Sequence, residues 1–200
     1  RKESRSPVGV KMRIAVFASG RGSNLQAIHD ATLANDLQGV SLALLVCDRP
    51  DAPVVEEVKK RGIPAFIFSP QDYADKKDYE IVISEKLKTA KIELVVLAGY
   101  MRLVGSVLLE KWEGRMINLH PSLLPLFPGI DAIGQAWRSG AKETGVTVHF
   151  VDAGMDTGQI FLQQKISVDP EDTEVSLAKK IHSLEHQLLP KAIQKFQQEM

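Results

Sequence analysis

The sequence predicts an α/β protein with a doubly wound, mostly parallel sheet, because short apolar runs alternate with amphipathic stretches. Four runs have the length and composition of strands buried on both faces: 14–17, 42–46, 65–68 and 94–98. Three segments between them have the mixed polar and apolar spacing of surface helices: 25–34, 53–61 and 75–88. This repeated strand–helix–strand order is typical of parallel strands joined by right-handed crossovers.

The second half of the chain has a different rhythm. A short strand at 116–118 precedes a loop rich in proline and leucine at 121–129. A helix at 132–139 and two strands at 146–151 and 160–166 are predicted next. A long amphipathic helix over 173–196 closes the chain, and we expect Pro190 to kink it or end it early.

We find no internal repeat and no linker, and therefore predict one domain over residues 12–200. Residues 1–11 are polar and lack the apolar core of a secretory signal, so we interpret them as a flexible extension or a tag remnant.

Composition excludes several classes of protein. The formal net charge is zero, which argues against a protein that coats nucleic acid. No apolar run approaches the roughly 20 residues that span a bilayer. The one cysteine, Cys47, ends an apolar run and is better explained as a buried core thiol than as a nucleophile. We expect a cytoplasmic protein.

The segment from Ser19 to Asn24 (Ser-Gly-Arg-Gly-Ser-Asn) lies directly after the first strand and before the first helix. Its glycines permit close approach of a ligand, and the helix N-terminus favours an anion, so it is a candidate phosphate site. Its glycine spacing is neither the dinucleotide fingerprint nor the P-loop. The alternative is a plain tight turn in which Ser23 or Asn24 caps the helix.

Asn118 and His120 are two residues apart on a predicted strand, so their side chains share one face. At the carboxyl end of a strand, that face borders the crevice in which α/β proteins bind ligands. An amide donor beside a histidine suits a reaction that builds negative charge on a carbonyl oxygen. The alternative is a core histidine that holds the proline-rich loop in place.

Two acids in the segment 152–158 could supply a carboxylate beside His120 and favour its protonated form. Asp156 lies between Gly154 and Gly158, Asp152 is the other candidate, and sequence spacing does not choose between them. The alternative for Asp156 is an ordinary turn aspartate. His182 and His186 are four apart on the last helix and could share a metal ion, but a solvated helix face is the more common explanation.

Several segments together resemble the formyl-folate transferase family, and within it the phosphoribosylglycinamide formyltransferases, which are folate-dependent enzymes of purine synthesis. The resemblance extends from about Met12 to the C-terminus. The segments that carry it are 19–24, 97–102, 117–125 (Ile-Asn-Leu-His-Pro-Ser-Leu-Leu-Pro), 145–151 and 156–158.

The resemblance implies a Rossmann-like sheet of about seven strands and a role for each matching residue. The catalytic residues would be Asn118, His120 and Asp156. The substrate phosphate would lie on Gly22, Ser23 and Asn24. Lys76 and Glu185 would contact the same substrate. The folate would be bound by Met101, Arg102, Leu103, Val104 and Asp152.

The same resemblance implies small-molecule substrates, phosphoribosylglycinamide and 10-formyltetrahydrofolate, with no metal and no ATP. Nucleic acid and membrane partners are not expected, and the protein would be a monomer or a homodimer. We expect neither of two related enzymes: methionyl-tRNA formyltransferase has a further C-terminal domain, and formyltetrahydrofolate hydrolase has an N-terminal regulatory domain. The alternatives outside the family are a non-catalytic module that binds sugar phosphates and, more weakly, a nicotinamide-dependent dehydrogenase.

Overall fold

A computed structural model describes residue 9 and residues 11–200, which form a single α/β domain. The strands are β1 Met12–Phe17, β2 Val40–Cys47, β3 Ala65–Ile67, β4 Leu94–Leu97, β5 Met116–His120, β6 Glu143–Phe150 and β7 Ile160–Ser167. The helices are α1 Ser23–Leu33, α2 Pro53–Arg61, α3 Lys76–Thr89, α4 Ser106–Trp112, α5 Ala132–Arg138 and α6 Glu174–Glu199. The interpretation of residues 1–11 falls almost wholly on residues 1–8 and 10, outside the described part.

The seven strands form one sheet in the order β3-β2-β1-β4-β5-β6-β7. Strands β1 to β5 are parallel, whereas β6 runs antiparallel to β5 and β7 antiparallel to β6. The chain moves outward from β1 to β3 and then returns to the other side of β1 at β4. The carboxyl ends of β1 and β4 therefore border the switch point at which open α/β sheets bind ligands. The predicted doubly wound, mostly parallel sheet is confirmed.

Apolar layers cover both faces of the sheet. In β1, Ile14 and Val16 belong to one layer, whereas Ala15 and Phe17 belong to the other. This explains why the central strands are apolar at every position rather than at alternate ones. Helices α1 and α6 contribute to the first layer, and α3 and α4 to the second.

Helix α6 continues through Pro190 to Glu199, so the expectation that it ends early is wrong. A proline removes one backbone hydrogen bond, but the residues after it, Ala192 and Ile193, are fully buried like Leu189 before it. Burial on both sides of Pro190 holds the helix together. Its start is fixed by a capping box between Thr173 and Ser176.

Helix α4 was not predicted from the sequence. It is seven residues long and turns Leu108 and Trp112 into the core. None of the helices in the described residues is long and apolar enough to cross a membrane.

Candidate active site

A cavity of about 550 Å³ opens at the carboxyl edge of the sheet, at the switch point between β1 and β4. Its volume is typical of sites for small molecules. The segments that line it are 20–24, 97–104, 118–121, 129–133 and 154–156, together with His149, Val151 and the α6 residues His182 and Glu185. Most of the predicted site residues therefore meet in one place, although they come from segments spread along the whole chain.

The loop after β1 delivers the start of α1 to this cavity. Gly22 has φ 76° and lies against Val54 so closely that a Cβ atom would overlap that side chain. The helix begins at Ser23 with Gly22 as its N-cap, and no side chain caps it, so the alternative in which Ser23 or Asn24 caps the helix is wrong. The N–H groups of the first turn therefore remain available to an anion in the cavity.

Glu185 reaches the same end of the cavity from α6. It is 6% exposed, and its carboxylate accepts hydrogen bonds from Asn24 Nδ2 at 3.4 Å and His182 Nδ1 at 2.6 Å. The hydrogen bond from His182 to Glu185 raises the pKa of the His182 imidazole. Asn24 Oδ1 is buried without a hydrogen-bond partner among the described residues. An acceptor oxygen and a buried carboxylate thus lie beside the helix N-terminus.

His120 ends β5 and is 5% exposed. Its Nε2 lies 2.9 Å from the carbonyl oxygen of Phe127, and its Nδ1 lies 3.4 Å from Asp156 Oδ2. Both ring nitrogens face oxygen acceptors, so only a ring protonated on both nitrogens donates to both. Both sequence interpretations have structural support, because His120 contacts the proline-rich loop and also lines the cavity.

Asp156 is the acid that the structure brings to His120. It has φ 56°, a conformation that is uncommon outside glycine, and its side chain is 9% exposed. Gly129 N–H donates to its Oδ2 at 2.8 Å, and its Oδ1 lies 3.5 Å from Asn118 Nδ2. Asp152 instead accepts from Thr157 Oγ1 at 2.6 Å, and this bond lowers its pKa. Asp152 does not line the cavity.

His149 was not selected from the sequence, although it lies in this cluster. It is 3% exposed on β6, directly opposite Asn118 in the sheet. Its Nδ1 lies 2.9 Å from the carbonyl oxygen of Phe150, so Nε2 is left to accept from Asn118 Nδ2 at 3.2 Å. The alternation of β6 shows that His149 shares a face with Thr147, but only the register of β5 and β6 places it beside Asn118.

The loop after β4 forms an apolar wall of the cavity. Met101 and Leu103 are 71% and 49% exposed, and Ile130 and Met155 add exposed apolar surface from other lining segments. Val104 is buried at the base of this loop. Such apolar surface around a cavity suits a flat, partly aromatic ligand.

Lys76 does not line the cavity. Its Nζ donates to the carbonyl oxygen of Leu103 at 2.7 Å, so it contacts the loop after β4 from outside. The described residues contain no group of three or more potential metal-ligating side chains. Cys47 is fully buried in the core as expected, and burial raises the pKa of its thiol.

Comparison with known proteins identifies the family. The formyl transferase family profile matches residues 12–193. Phosphoribosylglycinamide formyltransferase of Bacillus subtilis (strain 168) is 50% identical over 181 residues, which are 90% of this chain and 92% of that protein.

Two solved structures share this fold over nearly their whole length. Glycinamide ribonucleotide transformylase 1 from Geobacillus kaustophilus is 51% identical with a TM-score of 0.90, over 94% of this chain and 98% of that chain. Phosphoribosylglycinamide formyltransferase from Bacillus halodurans is 50% identical with a TM-score of 0.88, over 92% and 94% of the two chains. The chain therefore belongs to the formyl transferase family, among the phosphoribosylglycinamide formyltransferases.

Proposed function

We propose that this protein transfers a formyl group from 10-formyltetrahydrofolate to the amine of 5′-phosphoribosylglycinamide in de novo purine biosynthesis, through a tetrahedral oxyanion intermediate. The observation that carries the proposal is the meeting of Asn118, His120 and Asp156 in the cavity that also receives the uncapped end of α1. The α1 end of the cavity suits a phosphate, and the end with Asn118, His120 and Asp156 suits acyl transfer.

The ribonucleotide lies at the α1 end of the cavity in this proposal. Its phosphate accepts hydrogen bonds from the first-turn N–H groups at Gly22, Ser23 and Asn24, where the helix dipole also favours an anion. Glu185 is buried close by and accepts from the hydroxyl or amine groups of the substrate. Lys76 contributes only indirectly, because its ammonium group is bonded to the loop after β4.

The formyl folate lies along the apolar wall formed by Met101, Leu103 and Val104, with Arg102 at its edge. Apolar surface takes up the flat ring system, and backbone groups of the loop supply polar contacts. Asp152 shapes the adjoining loop through its bonds to Thr157 and to Gly154 N–H rather than by contact with the cavity.

The reaction joins two bound molecules, so their orientation supplies much of the acceleration. The amine nitrogen attacks the formyl carbon and the carbonyl oxygen becomes an oxyanion. The bond from that carbon to folate N10 then breaks. The amine loses one proton and N10 gains one, so atoms and charge balance without metal or ATP.

In this mechanism Asn118 Nδ2 donates a hydrogen bond to the oxyanion, and the positive charge of protonated His120 stabilises it electrostatically. Asp156 accepts from His120 and thereby holds the imidazolium in place, while His149 accepts from Asn118 and fixes the orientation of its amide. Removing one donor to such an oxyanion typically lowers the rate by about 10²- to 10³-fold.

The first test is spectrophotometric: formyl loss from 10-formyltetrahydrofolate is measured with and without glycinamide ribonucleotide. The expected loss depends on both enzyme and ribonucleotide and disappears in Asn118→Ala. Formyl loss without the ribonucleotide would indicate a hydrolase. A protein that binds the ribonucleotide but releases no formyl group would be a binding module.

The proposal includes no partners other than these small molecules. It places the protein in the cytoplasm as a monomer or a homodimer.

A further inference from the structure

Asp48 is a buried acid that the mechanism does not use. It follows β2, its side chain is 2% exposed, and it does not line the cavity. A buried carboxylate is costly unless hydrogen bonds and charge compensate it, so its partners indicate its role.

The two oxygens of Asp48 bind two different loops. Oδ1 accepts from the hydroxyl of Ser19, in the loop after β1 that leads to the proposed phosphate site. Oδ2 accepts from Arg102 Nε at 2.8 Å, in the loop after β4 that forms the proposed folate wall.

Ser19 provides a second connection between the same two loops. It is 3% exposed, its Oγ accepts a hydrogen bond from Met101 N–H at 2.9 Å, and its hydroxyl donates to Asp48. Asp48 thus orients the Ser19 hydroxyl so that its lone pairs face Met101. The three side chains and one backbone N–H form a continuous chain of hydrogen bonds behind two walls of the cavity.

We propose that Asp48 is a positioning residue that sets the folate wall, Met101 to Val104, against the loop after β1. This inference rests on the proposed function for the identity of the two substrates. The α1 end has further support of its own, since Gly22 is packed on Val54 and Val54 N–H donates to the carbonyl oxygen of Gly20. Loss of Asp48 therefore affects the formyl donor more than the ribonucleotide.

The test compares Asp48→Ala and Asp48→Asn with Asp51→Asn. Asp51 is in the same turn, its side chain is 80% exposed, and it does not line the cavity. Asparagine has one acceptor oxygen, so Asp48→Asn retains one of the two bonds. In the two-substrate assay, we expect the KM for formyl folate to rise about tenfold in Asp48→Ala and about threefold in Asp48→Asn, as loss of hydrogen bonds to a charged group predicts. The kcat and the ribonucleotide KM stay within about twofold, as do all three constants in Asp51→Asn.

Amide hydrogen exchange of the free protein gives a second readout. We expect Met101 N–H to exchange about tenfold faster in Asp48→Ala than in the wild type or Asp51→Asn. An unchanged donor KM in a folded Asp48→Ala protein, or a loss confined to kcat, overturns the proposal. If Asp48→Ala does not fold, the KM of Asp48→Asn for formyl folate tests the proposal: a threefold rise supports it and an unchanged value overturns it. A wild type without transferase activity would contradict the proposed function. The exchange rate of Met101 N–H would then still test whether Asp48 holds the loop after β4.

Discussion

The loop after β1 and the loop after β6 both border the cavity, but different interactions hold them. Backbone hydrogen bonds hold most of the first, in which Ala18 N–H donates to Val46 in β2 and Ser19 N–H donates to Gly99 in the loop after β4, and the Ser19 hydroxyl adds its bond to Asp48. Side chains fix the second, in which Asp152 closes its own loop and Asp156 accepts from Gly129 N–H. The strand, glycines and helix of the first loop follow one another in the sequence, so the loop is predictable even though its hydrogen-bond partners are distant. In the second loop the bonds of Asp152 are local, but the bond from Gly129 to Asp156 joins residues 27 apart, so the sequence does not show which acid the fold brings to the site.

Two acids four residues apart in the loop after β6 differ in how far apart in sequence their partners are. Asp156 is almost enclosed by His120, His149 and Asn118, whereas Asp152 contacts only its own loop. If function follows these contacts, variants of the two acids should differ strongly in activity.

Asp156→Asn should lower kcat by about 10²- to 10³-fold, because the amide leaves the charge of His120 without a counter-ion. Asparagine tolerates the positive φ at this position, so the backbone should be little disturbed. The matched variant Asp152→Asn should keep kcat within about threefold, since Asp152 is exposed and does not line the cavity. Both are measured in the two-substrate assay. Equal losses in the two variants would contradict the assignment of Asp156.

His149→Phe should lower kcat by about tenfold, because the amide of Asn118 loses the acceptor that orients it. The comparison variant is His186→Phe on α6, outside this cavity. Single-turnover rates at saturating substrates separate this effect from weaker binding. A normal rate in His149→Phe would show that the strand pairing alone positions Asn118.

Gly22→Ala should lower the free energy of unfolding by about 1 to 3 kcal/mol, because alanine is strained at φ 76° and its Cβ would overlap Val54. Gly20→Ala is the control in the same loop, where a Cβ would meet nothing within 4 Å. Urea unfolding of the two variants measures the difference. If the backbone conformation at Gly22 defines the loop, Gly22→Ala should be clearly less stable than Gly20→Ala. Similar free energies of unfolding for the two variants would argue against this.

Glu185→Gln should return the pKa of His182 toward its ordinary value, which NMR titration of the imidazole measures directly. A pKa raised in the folded state stabilises the protein fully below the unfolded pKa of about 6.5, and this contribution is lost as pH rises through the folded value. The His182 side chain is 56% exposed, so the loss should stay below about 1 kcal/mol. Glu199→Gln at the exposed end of α6 should leave the pKa unchanged.

Much of the fold was predictable from sequence alone. Strand and helix signals extend over a few residues, and β1, β2, β4, α2 and α3 follow the predicted bounds to within two residues. The exceptions have tertiary causes. Helix α6 passes Pro190 because its buried face extends on both sides, and α4 forms because Leu108 and Trp112 reach the core.

Local sequence patterns were sufficient to predict the sheet class, the loop from Ser19 to Asn24, and the pair Asn118 and His120 on one strand face, since each depends on neighbours in the chain. Three features required the folded chain: which acid meets His120, the position of His149 opposite Asn118, and the bonds of Asp48 to two loops. Asn118 and Asp156 are 38 residues apart, and Arg102 and Asp48 are 54 apart. Contacts at such separations depend on strand order, register and loop closure, which no local pattern encodes.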